Sequence, residues 1–234
     1  MGHLLLNHPL QRVLDQTYTY WELIVIGKHS IDNADQVMES FFSPSITYLK
    51  IHNKSVIAAC RNVAIWVTKG NSITLLDSDD FWSGDMLQVT FNHISDKVYL
   101  IYNDMEIVTK EIRPFREKII KSRQLKTVVL KNLLINSNTI VNYLVFILKS
   151  LLEKISSINK NEEIVVAEDH NILLRIAKQT SQFSCLSYKL VYYLIHNQSI
   201  SKKTCQFRVV MLLMNFYIYL ISKINKLKMD IRYI

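Results

Sequence analysis

Residues 8–80 alternate between two hydrophobic periods, and that alternation restricts the fold more than any other feature of the chain. ELIVI (22–26) is of strand length and apolar from Leu23 on, and its lack of alternation predicts burial on both faces, as in a parallel sheet. Upstream, Pro9 suits the first turn of a helix and Leu10, Val13 and Leu14 follow at helical spacing, so a short helix is expected to about Gln16. Downstream, Ser30 or Asp32 can cap a helix that carries Val37 and Phe41 and stops at Pro44, before a second strand, ITYLKI (46–51). Asn53 or Ser55 opens a third helix with Val56, Cys60, Val63, Ala64 and Val67 on one face and Gly70 just past its end. ITLL (73–76) reads as a third strand. Strand, helix, strand, helix, strand is the arithmetic of a doubly wound parallel α/β sheet, because parallel neighbours need a crossover connection.

Ligands of such sheets bind beyond the carboxyl ends of the strands, and Asp77, Ser78, Asp79 and Asp80 follow one of those ends. Carboxylates two apart, leaving a strand, can turn toward one hard cation while the residue between them points away. Magnesium or manganese held there keeps positions open for diphosphate oxygens and neutralises charge on a departing phosphate. The competing reading is a polar turn, since aspartates favour turns and caps.

Composition sets the wider limits. With 49% hydrophobic residues, four glycines and three prolines, the chain is neither disordered nor dominated by loops. Its 234 residues suffice for one α/β domain with a small appendage. A formal charge of +8 favours anionic partners. Nucleic acid is set aside, because aromatic and basic residues are not interleaved as a stacking groove requires. Cys60, Cys185 and Cys205 are odd in number and lack C-x-x-C spacing, which speaks against a disulfide framework or zinc ribbon and reads as cytoplasmic. Three consecutive leucines near the start are too few for the apolar core of a signal peptide.

Four blocks then carry a family resemblance. QTYTYWELIVI (16–26), AACRNVAIWVTKGNSITLLDSDDFW (58–82), AEDHNILLRIA (167–177) and HNQSIS (196–201) resemble, in order and separation, the signature blocks of family 2 glycosyltransferases. The resemblance implies a GT-A fold, with a Rossmann-like nucleotide-binding half at about 1–103 and an acceptor half at about 104–202. It implies that Asp77 and Asp79 engage the ribose and the diphosphate-bound Mg2+ or Mn2+, and that Arg61 and Asn62 order that region. It also implies that Glu168 and Asp169 supply the base for an acceptor hydroxyl, in an inverting single displacement. Read from the residues alone, Glu168 and Asp169 precede a helical pattern and can equally cap it.

The chain departs from the family pattern in three places. Gly27, Lys28, His29 and Ser30 stand where the family has Asp-Asp-Gly-Ser, which leaves Lys28 as the candidate phosphate contact. Only Leu4, Leu5, Leu6 and Asn7 remain of the family's opening strand, so the chain reads as N-terminally shortened, with a stub strand at 2–6 as the way to satisfy its neighbours' backbones. Leu194 replaces an arginine two residues ahead of His196, which leaves His196 and Ser199 as the remaining candidates in that block.

In the second half, VYLIYN (98–103) has strand length, and the spacing around Phe146, Leu148, Leu151 and Leu152 fits a helix or a strand ending in one. A C-terminal amphipathic or hydrophobic helix is expected over 203–234. Its apolar run, 209–221, would extend roughly 20 Å at about 1.5 Å per residue, short of a hydrocarbon core about 30 Å thick. It either packs on the domain or lies on the inner face of a membrane. The expected function is transfer of a sugar from a nucleotide-sugar donor to a glycan or lipid-linked acceptor in cell-envelope polysaccharide synthesis. The alternative is a catalytically inactive remnant that serves as a binding module.

Overall fold

The computed structural model describes residues 2–28, 34–51, 57–95, 98–109, 114–125, 128–136, 140, 146–156, 158 and 168–195. The expected C-terminal helix lies outside them. Among the described residues no helix is long and apolar enough to cross a membrane.

A helix, α1 (Gly2–Leu14), opens the fold and carries Pro9 within it rather than in its first turn. It covers the stretch where a stub strand was expected. The proline forfeits one intrahelical bond, while Leu10 and Val13, both 3% exposed, anchor the same helix in two different clusters.

Strand β1 (Leu23–Lys28) pairs in parallel with β2 (Ile46–Ile51), Leu23 opposite Ile46 and Lys28 opposite Ile51. Helix α2 (Ala34–Ser40) connects them and buries Val37 and Met38 against Leu10, with Leu23 and Val25 packed alongside. Helix α3 (Ile57–Val67) follows and lies against β1. Its end is not closed by a left-handed glycine, for no glycine among the described residues has positive φ. Glu22 does this work from the start of β1: its Oε1 accepts the Gly70 N–H at 2.7 Å and the Thr68 hydroxyl at 2.8 Å. These are donors of the segment leaving the helix; the Thr68 carbonyl accepts instead from Lys149 Nζ at 2.6 Å.

Strand β3 (Ser72–Thr74) does not extend the β1–β2 pair. It pairs antiparallel with β7 (Phe146–Leu148), in a second sheet whose order runs β3, β7, β5 (Leu100–Val108), β8 (Phe183–Leu194) and β4 (Phe81–Trp82), with β6 (Pro114–Ile120) on β5. The expected continuous parallel sheet is thus two sheets among the described residues. Connection lengths tell which strands run parallel; they do not tell which become neighbours.

The axis of the second sheet is β5 (Leu100–Val108) paired in parallel with β8 (Phe183–Leu194), with register shifts on both sides of Asp104. Its other edge is shared, β7 opposing Leu100 and Ile101, and β6 (Pro114–Ile120) opposing Met105 to Val108. The expected boundary near 103 falls inside β5. Alternation along β5 divides the core. Leu100 and Tyr102 face a cluster built with α3, α5 (Val129–Asn136), α6 (Lys149–Lys154) and α7 (Glu168–Ala177). Ile101 and Met105 face Val13 of α1, Trp82 of β4 (Phe81–Trp82) and Met86 of α4 (Met86–Phe91). The segment that fits either a helix or a strand running into one is β7 followed directly by α6.

Candidate active site

The acidic segment forms a turn. Asp80 N–H donates to the Asp77 carbonyl at 3.1 Å, closing Asp77-Ser78-Asp79-Asp80 as a β-turn. Oxygens of Asp77, Asp79 and Asp80 lie within 4.8 Å of one another. It is this reversal, rather than strand alternation, that gathers them. Asp77 and Asp79 are half-buried, Asp80 is 1% exposed, and Ser78 points to solvent.

Asp80 is held from the far end of the sheet. Its Oδ1 accepts the Leu194 N–H at 3.0 Å, and the adjoining β4 pairs with β8, Phe81 opposite Tyr192 and their rings stacked 4.9 Å apart. Burial, then the Asp79 charge, pushes the Asp80 carboxyl up to about 8, with Asp77 adding to the rise and the Leu194 N–H opposing it.

Arg61, in the middle of α3, joins the turn to a distant carboxylate. One guanidinium nitrogen donates to Asp77 Oδ1 at 2.8 Å and the other to Asp169 Oδ1 in a short ion pair. Arg61 is 10% exposed and Asp169 15%, so the pairing is largely out of water. Asp169 is the second residue of α7, whose Ile172, Leu173, Leu174 and Ile176 are core residues that fix the helix and therefore the carboxylate. Burial pushes its pKa up to about 6; Arg61 pulls it down and the Asp77 charge pushes it up. A carboxylate tuned there is mostly ionised at neutral pH yet basic enough to take a proton.

Asn62, next on α3, exchanges two hydrogen bonds of 2.8 Å with the backbone of Ile158, its Nδ2 donating to the carbonyl and its Oδ1 accepting the N–H. Its amide anchors the chain beyond α6 to α3. Lys28 ends β1, though its side chain lies outside the described residues, as does that of Glu168 at the start of α7. His196 also lies outside them, just beyond the end of β8.

The substitution at Gly27 has a structural counterpart. A Cβ there would meet Tyr48 Cε2 at 2.7 Å, closer than real side chains approach, so the tyrosine ring fills the space that a family aspartate would use. The Tyr48 hydroxyl donates to Asp35 at 2.8 Å, which fixes the ring.

Two polar residues that the sequence reading passed over hold the site's surroundings. Gln16 is 5% exposed; its Nε2 donates to the Ser83 carbonyl at 2.6 Å and its Oε1 accepts the Leu87 N–H at 2.9 Å, tying α1 to the segment after the acidic turn. Glu22 ties β1 to the end of α3, as described above. Both stand in the QTYTYWELIVI block, where a polar residue beside an apolar run was the available signal.

The turn suits a hard divalent cation. Its donors are all carboxylate oxygens, two of the three residues reach solvent, and a cation there would meet a concentration of negative charge, with Arg61 paired to Asp77 at one corner.

The solved structures this chain resembles share its fold. Over 86% of this chain and 59% of the other, it matches S. aureus TarS 1–349 in complex with UDP-GlcNAc, with a TM-score of 0.66 at 17% identity. Over 93% of this chain and 61% of the other, it matches the mannosyltransferase PcManGT from Pyrobaculum calidifontis in complex with GDP-Man and Mn2+, with a TM-score of 0.66 at 15% identity. The α/β fold here is of the GT-A kind. In sequence, the chain is 34% identical over 145 residues to the UDP-Glc:alpha-D-GlcNAc-diphosphoundecaprenol beta-1,3-glucosyltransferase WfgD of Escherichia coli. That match covers 56% of each chain, so the likeness spans little more than half the length of this relative. The model of the glycosyl transferase family 2 matches residues 6–155, well over half of the chain, and the protein belongs to that family.

Proposed function

We propose that this protein transfers a sugar from a nucleotide-sugar donor to a glycan or lipid-linked acceptor, by metal-assisted inverting single displacement. The observation that carries the reading is the single arginine, Arg61, shared between Asp77 of the acidic turn and Asp169 of α7. It brings a metal-compatible carboxylate cluster and a buried carboxylate with a raised pKa into one site.

In this reading Asp77 and Asp79 hold Mg2+ or Mn2+, which neutralises charge on the leaving diphosphate when bound. Asp169 accepts the proton of the acceptor hydroxyl as its oxygen bonds to the anomeric carbon. The bond from that carbon to the diphosphate breaks on the opposite face, and the nucleoside diphosphate leaves with the electron pair. Arg61 keeps Asp169 oriented and its pKa from rising further. Asn62 steadies Arg61 from the next position on α3. Glu168, Lys28 and His196 complete the set assigned to base and donor contacts.

The names of relatives favour a cell-envelope polysaccharide setting: WfgD is named for a diphosphoundecaprenol-linked acceptor, and a relative in Bacillus subtilis for teichuronic acid biosynthesis. A lipid-linked acceptor would place the protein in the cytoplasm, peripheral to the inner face of the membrane.

The test is sugar transfer, or donor hydrolysis, by the full chain with UDP- and GDP-sugars and manganese. Activity that vanishes with chelator and falls about 100-fold or more in Asp169→Asn is expected. No heat of binding with any nucleotide sugar plus manganese would overturn the reading. One observation favours the second reading, an inactive binding module: the Tyr48 ring occupies the side-chain space at Gly27. That reading expects no rise in melting temperature with nucleoside diphosphate and metal, since a ligand of the native state must stabilise it.

A further inference from the structure

We infer that Asp80 is a positioning residue for the metal-binding turn rather than a third ligand to the ion. The inference rests on the reading of Asp77 and Asp79 as the metal pair. It goes beyond that reading by dividing three neighbouring carboxylates into two jobs.

The geometry separates Asp80 from the other two. Asp77 keeps 32% of its side chain exposed, whereas Asp80 as a whole is 1% exposed. The Asp80 Oδ1 is engaged by the Leu194 N–H at 3.0 Å, and Leu194 itself is 8% exposed. Were Oδ1 to turn to an ion, that amide would be left inside the protein without its acceptor, which native structures avoid.

The same contact has a purpose where it is. Asp80 N–H closes the turn onto Asp77, while the Asp80 side chain fastens it to the last residue of β8. Around this fastening, Phe81, Val108 and Leu194 form a small buried cluster, and Ile195 N–H donates to the Val108 carbonyl at 3.0 Å. The acidic turn is thereby docked on the paired ends of β5 and β8. Asp77 and Asp79 would inherit their separation from that dock. An outer contact of this kind orients ligands without touching the metal. The job needs an acceptor oxygen at Asp80, and an amide oxygen serves as well as a carboxylate.

The experiment titrates manganese alone into the full chain and into Asp80→Asn, Asp80→Ala and Asp79→Asn, and measures amide exchange at Leu194 in each. Asp80→Asn is expected to bind manganese within about threefold of the unsubstituted chain, with Leu194 still protected. Asp80→Ala is expected to weaken manganese about tenfold, in line with the loss of an outer contact, and to speed Leu194 exchange about tenfold or more. Asp79→Asn is expected to weaken manganese at least as much while leaving Leu194 protected.

If Asp80→Asn weakens manganese as severely as Asp79→Asn does, Asp80 is a ligand and the inference is overturned. Unchanged Leu194 exchange in Asp80→Ala overturns it as well. If the unsubstituted chain binds no manganese, the metal reading fails by itself, and the Leu194 exchange of Asp80→Ala still decides whether Asp80 is the fastening.

Discussion

Strands β1 and β5 invert the usual relation between polarity and burial. β1 runs LIVIGK, and Leu23 to Gly27 are each only half-buried. β5 runs LIYNDMEIV, with Asn103, Asp104 and Glu106 in it, yet every residue is buried. The difference lies in their neighbours. β5 has β8 along one edge and β7 and β6 along the other, and its acids are served: Asp104 accepts the Ser122 N–H at 2.7 Å and Glu106 meets Lys189 at 3.4 Å. Among the described residues β1 pairs with β2 alone. A strand's apolar content states what environment it would suit, and only its partners supply that environment.

The comparison has consequences that stability measurements can break. The largest effect is expected at Leu100, 0% exposed in the main cluster. Leu100→Ala should cost about 4 kcal/mol in chemical denaturation, whereas Ile24→Ala in half-buried β1 should cost about 1 kcal/mol. Equal losses would show that the β1–β2 pair is as firmly embedded as the larger sheet.

Next comes Arg61, which links α3, beside β1, to α7 on the larger sheet. Arg61→Ala leaves Asp77 and Asp169 facing each other without a cation and should cost about 3 kcal/mol. Asp169→Asn in that background should recover part of the loss, because one of the opposed charges is removed. Failure to recover it would show that the two carboxylates do not feel each other.

A smaller effect is expected at Gly27. Gly27→Ala must displace the Tyr48 ring from its bond to Asp35, for about 1 kcal/mol, and Gly27→Ala with Tyr48→Ala should cost no more than Tyr48→Ala alone. Additive costs would mean that the ring is not what fills position 27.

The subtlest prediction concerns pH. The folded pKa of Asp169 is raised to about 6, so its contribution favours the folded state at low pH and is lost as pH climbs from the ordinary carboxylate range through 6. In the proposed role of Asp169 activity runs the other way, since a base must be ionised. The profile of kcat/KM should therefore fall below about pH 6, and Arg61→Ala, by removing the positive charge, should move that limb to higher pH. A limb that stays in place would detach Arg61 from the base.

How far the sequence reached can be judged residue by residue. Strand β2 was legible from end to end at 46–51, and α2 was legible because Val37 and the stop at Pro44 are local signals. The acidic turn was legible as a cluster. Its geometry was not, because whether neighbouring aspartates alternate along a strand or gather in a reversal depends on one backbone hydrogen bond. The antiparallel pairing of β3 with β7 was not legible either, since three residues carry too little pattern to choose a partner. Arg61 and Asp169 were singled out only through the blocks that resemble a family. Nothing in the spacing of two residues 108 positions apart says that they touch.

The sequence by itself determined the periodicities that make strands and helices, the placing of aspartates directly after a strand, and membership of a glycosyltransferase family. Tertiary structure alone decided that Arg61 is divided between two carboxylates, that Tyr48 closes over Gly27, and that Asp80 reaches an amide 114 positions away. Local preferences are written in a few consecutive residues. Burial, pairing and pKa are set by whatever the fold brings alongside, and that sum is taken over the whole chain.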